Sequence, residues 1–278
     1  MTLNTQTLIP LELHRASFDL EAHVHEQIEI TQELTRFHRA DMDRRKRRIA
    51  QYLRDPKRIH SALELRRPGA FDVVEPLPDG EACATCLGDG LGAVLAQRRS
   101  VRRRDLGGTV GRDQLSALLA LAARTNGKQV VPGVADAAFD LRPYASAGAL
   151  YPCEIYVVQP GCAALRYDSR THTLVDYGAP VGDFATVEAA KDVTAPPCAL
   201  IITAVLARTM AKYGARGYRF AVLEAGHICQ NLLLAATAQG LPSLAYGSFY
   251  DAELERLLVV DGADEAVVAV VLIGGGAA

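Results

Sequence analysis

A chain of 278 residues, 49% of them hydrophobic, can bury a full core in one large domain or in one domain with an arm. Its 30 Lys and Arg stand against 32 Asp and Glu, a formal charge of −2, so no global basic field favours nucleic acid or an anionic membrane. Apolar runs such as Ala266 to Ile273 are too short to span a bilayer and the first residues lack a signal-peptide profile, so a cytoplasmic protein is expected.

Residues 1–88 are polar and densely charged, and read as a helical N-terminal arm. Ile28, Leu34, Phe37, Ile49, Tyr52 and Leu53 form a broken apolar stripe that predicts a helix over Glu26 to Leu53. The basic run Arg44 to Arg48 inside it reads as a solvated face. Pro68-Gly69 and the segment Glu75 to Gly80 read as linker. Cys83 and Cys86 make a lone CxxC; structural zinc takes four ligands, so no metal is expected. Cys153, Cys162, Cys198 and Cys229 sit singly in apolar contexts, as small buried hydrophobes do.

Residues 89–278 have the texture of a folded α+β domain. Leu91 to Arg98 reads as a short helix, and Asp113 to Thr125 as an amphipathic one stopped by Gly127. Glu154 to Gln159 and Ala199 to Val205 are apolar runs between breakers, hence buried strands. Ala163 to Asp168 and Thr173 to Tyr177 predict a hairpin. Tyr218 to Gln239 predicts a long helix, apolar almost all round, for a core or a dimer interface. Leu244 to Phe249, a helix over Asp251 to Leu258 and a strand over Ala266 to Ile273 complete the pattern.

Three stretches carry chemistry. Arg98-Arg99-Ser100-Val101-Arg102-Arg103-Arg104 offers forked guanidiniums and a hydroxyl that suit phosphate oxygens. It is not a glycine-rich P-loop, and no GxGxxG follows a strand, which disfavours nucleoside triphosphates and Rossmann dinucleotides. Arg142 to Pro152 is a loop of small residues between prolines that a flat ring can approach closely. Lys212 and Tyr213, at the mouth of the long helix, pair an amine with a phenol, a combination suited to taking a weakly acidic C–H proton. Along that helix Glu224, His227 and Asn231 recur at helical spacing, and read as an internal hydrogen-bond network.

Arg-Arg-Ser-Val-Arg, then RPYASAGALYP, then KYGARGYRFAVLEAGHICQNLLLAATAQGL together resemble the azoline dehydrogenases of the SagB/McbC type, FMN enzymes of the nitroreductase superfamily. The resemblance spans about residues 90–274. It implies a nitroreductase-like α+β fold, with an antiparallel or mixed central sheet flanked by helices. Arg98, Ser100 and Arg102 match the positions that hold the FMN phosphate and ribityl chain. Ser146, Ala147 and Gly148 match a loop bordering the isoalloxazine, usually from the other protomer, and Tyr246, Gly247 and Ser248 match a loop on another side of the ring. Lys212 and Tyr213 match the pair assigned to proton abstraction, either being the base. Superfamily members often carry a phosphate-clamping cation after the last strand; here the chain reads Gly274 to Ala278, and either Arg99, Arg103 or Arg104 replaces it or a weaker flavin affinity is expected.

The implied activity oxidises thiazolines or oxazolines of a precursor peptide to thiazoles or oxazoles. A homodimer and docking onto cyclodehydratase and adaptor subunits are implied with it, and neither nucleic acid nor membrane is an expected partner. Two other readings stay open: another flavin oxidoreductase of this fold using NAD(P)H, and a non-catalytic scaffold subunit of a modifying complex.

Overall fold

A computed structural model describes residues 88–130, 138–190 and 193–275, and singly Arg47 and Arg54. The helix expected over Glu26 to Leu53, the Cys83–Cys86 pair and almost all of the expected N-terminal arm lie outside the described residues. In chain order the elements are α1 Gly88–Gln97, α2 Arg112–Ala123, β1 Gly127–Val130, β2 Ala138–Leu141, β3 Cys153–Val158, β4 Ala163–Asp168 and β5 Thr173–Val181. There follow α3 Phe184–Val187, β6 Cys198–Val205, α4 Ala207–Tyr213, α5 Arg216–Ala238, β7 Ser243–Tyr246, α6 Asp251–Leu258 and β8 Glu265–Ile273.

The main sheet has the order β5-β4-β3-β6-β8-β7, every neighbouring pair antiparallel. β6 lies at its centre, and Cys198 to Ala204 are all buried, because a central strand is covered on both faces. Alternation sorts its residues into two cores. Leu200 and Ile202 join Ile155, Val157, Val271 and Ile273 under α2 and α5. Ala199 and Ile201 join Tyr156, Val270 and Leu272 under Phe184 of α3 and Leu254 and Leu258 of α6. Each fully buried Leu or Ile contributes about 1.5–3 kcal/mol relative to exposure.

The long helix runs Arg216–Ala238, slightly earlier than its apolar pattern predicts. By length and composition it suffices to cross a bilayer, unlike the shorter runs read in the sequence. In this fold its Ala221, Ala225, Ile228, Leu232 and Ala236 seat it on the sheet. Its other side is not uniformly covered: Leu223 is 53% exposed, and Leu91 of α1 is 52% exposed. Cys153 and Cys198 are buried as expected, but Cys162 is exposed, because it falls in the turn between β3 and β4.

Candidate active site

The loop from Arg142 to Pro152 is gripped by the polar stripe of α5. Asn231 donates from Nδ2 to the Pro143 carbonyl at 3.2 Å and to the Ala122 carbonyl at 3.3 Å. His227 bonds the Ala145 carbonyl through Nδ1 at 3.0 Å, so this nitrogen carries the proton. Glu224 Oε1 accepts the Cys153 N–H at 3.3 Å, just past the loop. Residues three and four apart on one helix face thus hold three points of one segment. Within it, Tyr151 N–H donates to Ser146 Oγ at 2.9 Å, and Arg142 N–H donates to the Tyr151 hydroxyl at 3.0 Å. The Arg142 guanidinium lies 4.4 Å over the Tyr151 ring. Backbone strain sits here too, with Ala149 at φ 53° and Tyr151 at φ 46°.

Gly148, at φ 65°, is the point where this loop meets Lys212 and Tyr213. A Cβ built on Gly148 would stand 2.5 Å from Tyr213 Oη and 2.8 Å from Lys212 Nζ. The amine and the phenol therefore converge on a spot that only glycine leaves open. Lys212 is exposed, and Tyr213 is half-buried with its ring edge-on to Phe220 at 5.1 Å.

The Lys-Tyr pair lies at the mouth of the long helix, just before Arg216, as its sequence context predicts. It ends a separate helix, α4, whose last turn closes by Gly214 N–H donating to the Met210 carbonyl at 2.8 Å. Gly214 takes φ 55°, ψ −145°, a conformation open to glycine, and this breaks the run. α4 then folds back on α5 through Gly217. A Cβ there would come within 2.6 Å of the Met210 nitrogen and the Thr209 carbonyl carbon. Thr209 Oγ1 donates to the Gly217 carbonyl at 3.1 Å and locks the crossing. Gly217, the second residue of α5, gives no sequence signal beyond a glycine at a helix start.

The arginine segment occupies a different place. Ser100 forms a parallel bridge with Ser243, and Val101 N–H donates to the Ser243 carbonyl at 3.1 Å, so the segment lies along β7. β7 leads directly into Tyr246, Gly247 and Ser248, which brings the second expected loop to the same sheet edge. Ser248 accepts the Ala189 N–H at 2.7 Å, and Phe249 bridges Glu188. Burial, with the Glu188 charge, pushes the Tyr246 phenol up.

Arg98 is half-buried, with Nη1 3.5 Å from Ser100 Oγ, and Arg102 is exposed. Among the described residues no carboxylate pairs with either arginine. Two unpaired guanidiniums beside a hydroxyl fit a group with several anionic oxygens, as a flavin phosphate has. Arg103, one of the three replacement clamps expected from the sequence, is held in an ion pair within the chain. Its Nε and Nη2 grip both Glu188 oxygens at 2.8 and 2.5 Å, and Nη2 also reaches the Thr194 carbonyl at 2.9 Å. Arg99 donates to the Ala96 and Arg98 carbonyls, and Arg104 lies 3.9 Å from Asp105. Gly275, after β8, has a packing reason. Gly275 N–H donates to the Gly107 carbonyl at 2.7 Å, and a Cβ on Gly275 would collide with the Thr109 backbone.

Among the described residues no hydrogen bond or ion pair joins the Gly148–Lys212–Tyr213 group to the arginine group within the chain. Ser146 and Ala147 stand with the first group, both half-buried.

The nitroreductase family model matches residues 95–275. The Methanocaldococcus jannaschii protein MJ1384, named for the nitroreductases, is 34% identical over 177 residues, 60% of this chain and 83% of that protein. The microcin B17-processing protein McbC of Escherichia coli is 27% identical over 137 residues, 43% of this chain and 49% of McbC. Among solved structures, an Anabaena variabilis protein assigned to the nitroreductases matches at 30% identity and TM-score 0.51, over 58% of this chain. The match spans only 34% of that longer chain. The Escherichia coli microcin synthetase complex McbBCD, with truncated pro-MccB17 bound, matches at 19% identity and TM-score 0.58, over 81% of this chain and 83% of the matched one. At that identity the likeness shows a shared fold.

Proposed function

The chain belongs to the nitroreductase family, and from that premise we propose that it is an FMN-dependent azoline dehydrogenase, oxidising thiazolines or oxazolines in a peptide to the aromatic azoles. The observation that carries the reading is the meeting of Lys212 Nζ and Tyr213 Oη over Gly148. Hydride transfer from a nicotinamide to a flavin needs no base placed to deprotonate a carbon acid. Azoline oxidation requires loss of a proton from the former Cα, a carbon acid that needs a placed base. McbC, with 27% identity, points the same way.

In this reading Arg98, Ser100 and Arg102 hold the phosphate end of FMN, and Tyr246, Gly247 and Ser248 border its ring. When bound, the flavin supplies a two-electron acceptor. Lys212 or Tyr213 takes the Cα proton, while the Ser146-Ala147-Gly148 loop fixes the approach of the heterocycle. Among the described residues no hydrogen bond or ion pair joins the two residue groups within one chain, in keeping with a site completed by a second protomer. The exposed apolar side chains of α1 and α5, Leu91, Leu95, Val222 and Leu223, supply a surface for that contact. Residues 1–88 are the proposed docking arm for cyclodehydratase and adaptor subunits.

The test is anaerobic mixing of FMN-loaded protein with a synthetic thiazoline peptide. Loss of two hydrogens from the peptide, matched by bleaching of the flavin band, is the expected result. Lys212→Ala and Tyr213→Phe keep the yellow colour and lower azole formation by about 10²-fold or more; a double variant of full activity overturns the assignment. A second reading, a flavin oxidoreductase using NAD(P)H, is favoured by the wider match to MJ1384. Fast bleaching by NADPH with no azole formed selects it.

A further inference from the structure

A cleft of about 510 Å³ opens beside the Gly148 junction, outside both residue groups described above. Leu150 and Tyr151 of the strained loop line one wall, and Arg208 lines another. Arg208 stands one helical turn before Lys212 on α4, so the two side chains leave the same helix face. The cleft is therefore the neighbouring compartment of the proposed base.

Four arginines line it, and among the described residues carboxylates pair with two of them, Arg170 and Arg208. Arg208 pairs with Glu154 at 2.5 Å and also donates to the Tyr151 carbonyl at 3.1 Å. Arg170 pairs with Asp140 at 2.5 Å. Among the described residues no carboxylate pairs with Arg142 or Arg166. Asp168, also in the lining, accepts the backbone N–H groups of Arg170 and Thr171 through Oδ1. Arg142 is the more telling cation. Its Nη1 goes to the Tyr144 hydroxyl at 2.9 Å and its plane covers the Tyr151 ring, while its buried Nε has no acceptor. Its charge, hydrogen-bonded through Nη1 only to a neutral hydroxyl, is one that a carboxylate in the cleft complements.

We propose that this cleft receives a carboxylate of the peptide substrate, with Arg142 and Arg166 as its cations, and so sets which residue next to the heterocycle is accepted. That the carboxylate belongs to a peptide rests on the azoline reading. A Glu or Asp side chain and a C-terminal carboxylate present the same chemistry, and the test separates them.

The FMN-loaded full chain is titrated calorimetrically with three synthetic tripeptides. These are acetyl-Gly-Glu-Gly-amide, acetyl-Gly-Gln-Gly-amide, and acetyl-Gly-Gly-Gly with a free C-terminus. The expected result is binding of at least one carboxylate peptide and much weaker binding of the Gln peptide. Arg142→Gln and Arg166→Gln should each weaken the favoured peptide by about tenfold, the effect of one charge-assisted hydrogen bond. Arg166 is exposed, so retained flavin colour and an unchanged unfolding midpoint in Arg166→Gln separate lost binding from lost fold. Binding of the Gln peptide as tight as that of the favoured carboxylate peptide, no binding of either carboxylate peptide, or full binding by both variants overturns the proposal. Thiazoline turnover is scored on the same protein. Absent turnover with carboxylate binding intact overturns the azoline reading alone; turnover without carboxylate preference overturns the cleft alone.

Discussion

Glu224, on the core helix α5, accepts the backbone N–H of Cys153 at 3.3 Å, at the first residue of β3. The carboxyl is 1% exposed, and its other oxygen has no partner. Burial raises its pKa above the ordinary 4.5, against the opposing effects of the Ser146 hydroxyl, the Cys153 N–H and the Arg142 charge. The folded state thus holds this proton more tightly than the unfolded chain does.

A pH dependence follows. Stability from a group with a raised folded pKa is fully present below its unfolded value and is lost as pH rises through the folded one. Glu224→Gln keeps an oxygen for Cys153 and cannot ionise. Its stability relative to the parent should therefore improve as pH rises from 4.5. Urea unfolding of both proteins at several pH values checks this; a difference that is flat with pH contradicts it.

Gly148→Ala should separate activity from stability. The new methyl would displace the ends of two flexible side chains, Lys212 and Tyr213, and occupy left-handed backbone at about 1–2 kcal/mol. The expected variant stays folded and keeps flavin, yet loses proton abstraction to the extent of Lys212→Ala. Turnover with thermal unfolding on one sample decides it.

Gly217→Ala meets backbone instead. The methyl presses on Thr209 and Met210, which cannot swing away, so α4 must shift on α5. A loss of about 1–3 kcal/mol is expected from such overpacking, together with weakened activity, because α4 carries the Lys-Tyr pair. An unchanged unfolding midpoint contradicts the close crossing.

Neighbouring arginines should differ sharply. The Arg103 and Glu188 side chains are 9% and 0% exposed, and removing either partner leaves a buried charge, about 3–5 kcal/mol. Arg98→Gln should change stability by only about 0.5 kcal/mol. FMN affinity, followed by fluorescence quenching, should fall for Arg98→Gln, and any loss for Glu188→Gln should track its instability.

Local signals were well read from the sequence. β4 and α6 carry the boundaries their patterns predict, and β3, β6 and β8 differ by a residue or so at their ends. The β1–β2 hairpin was missed because Gly127-Lys128-Gln129-Val130 has almost no apolar alternation. The break between α4 and α5 was missed because a left-handed glycine can also sit inside a loop, and nothing local says which. Arg103 was read as a free cation because its partner lies 85 residues on; only tertiary packing reveals that pair. The meeting of Gly148 with Lys212 and Tyr213 is equally long-range: the motifs named the residues without saying that they touch.

The α5 stripe that holds the 142–152 loop has a consequence for how the molecule ages and heats. One rod both closes the apolar interior and clamps the 142–152 loop, so that loop is expected to have no melting of its own. Inactivation on warming should track global denaturation, with no inert, still-compact state preceding it.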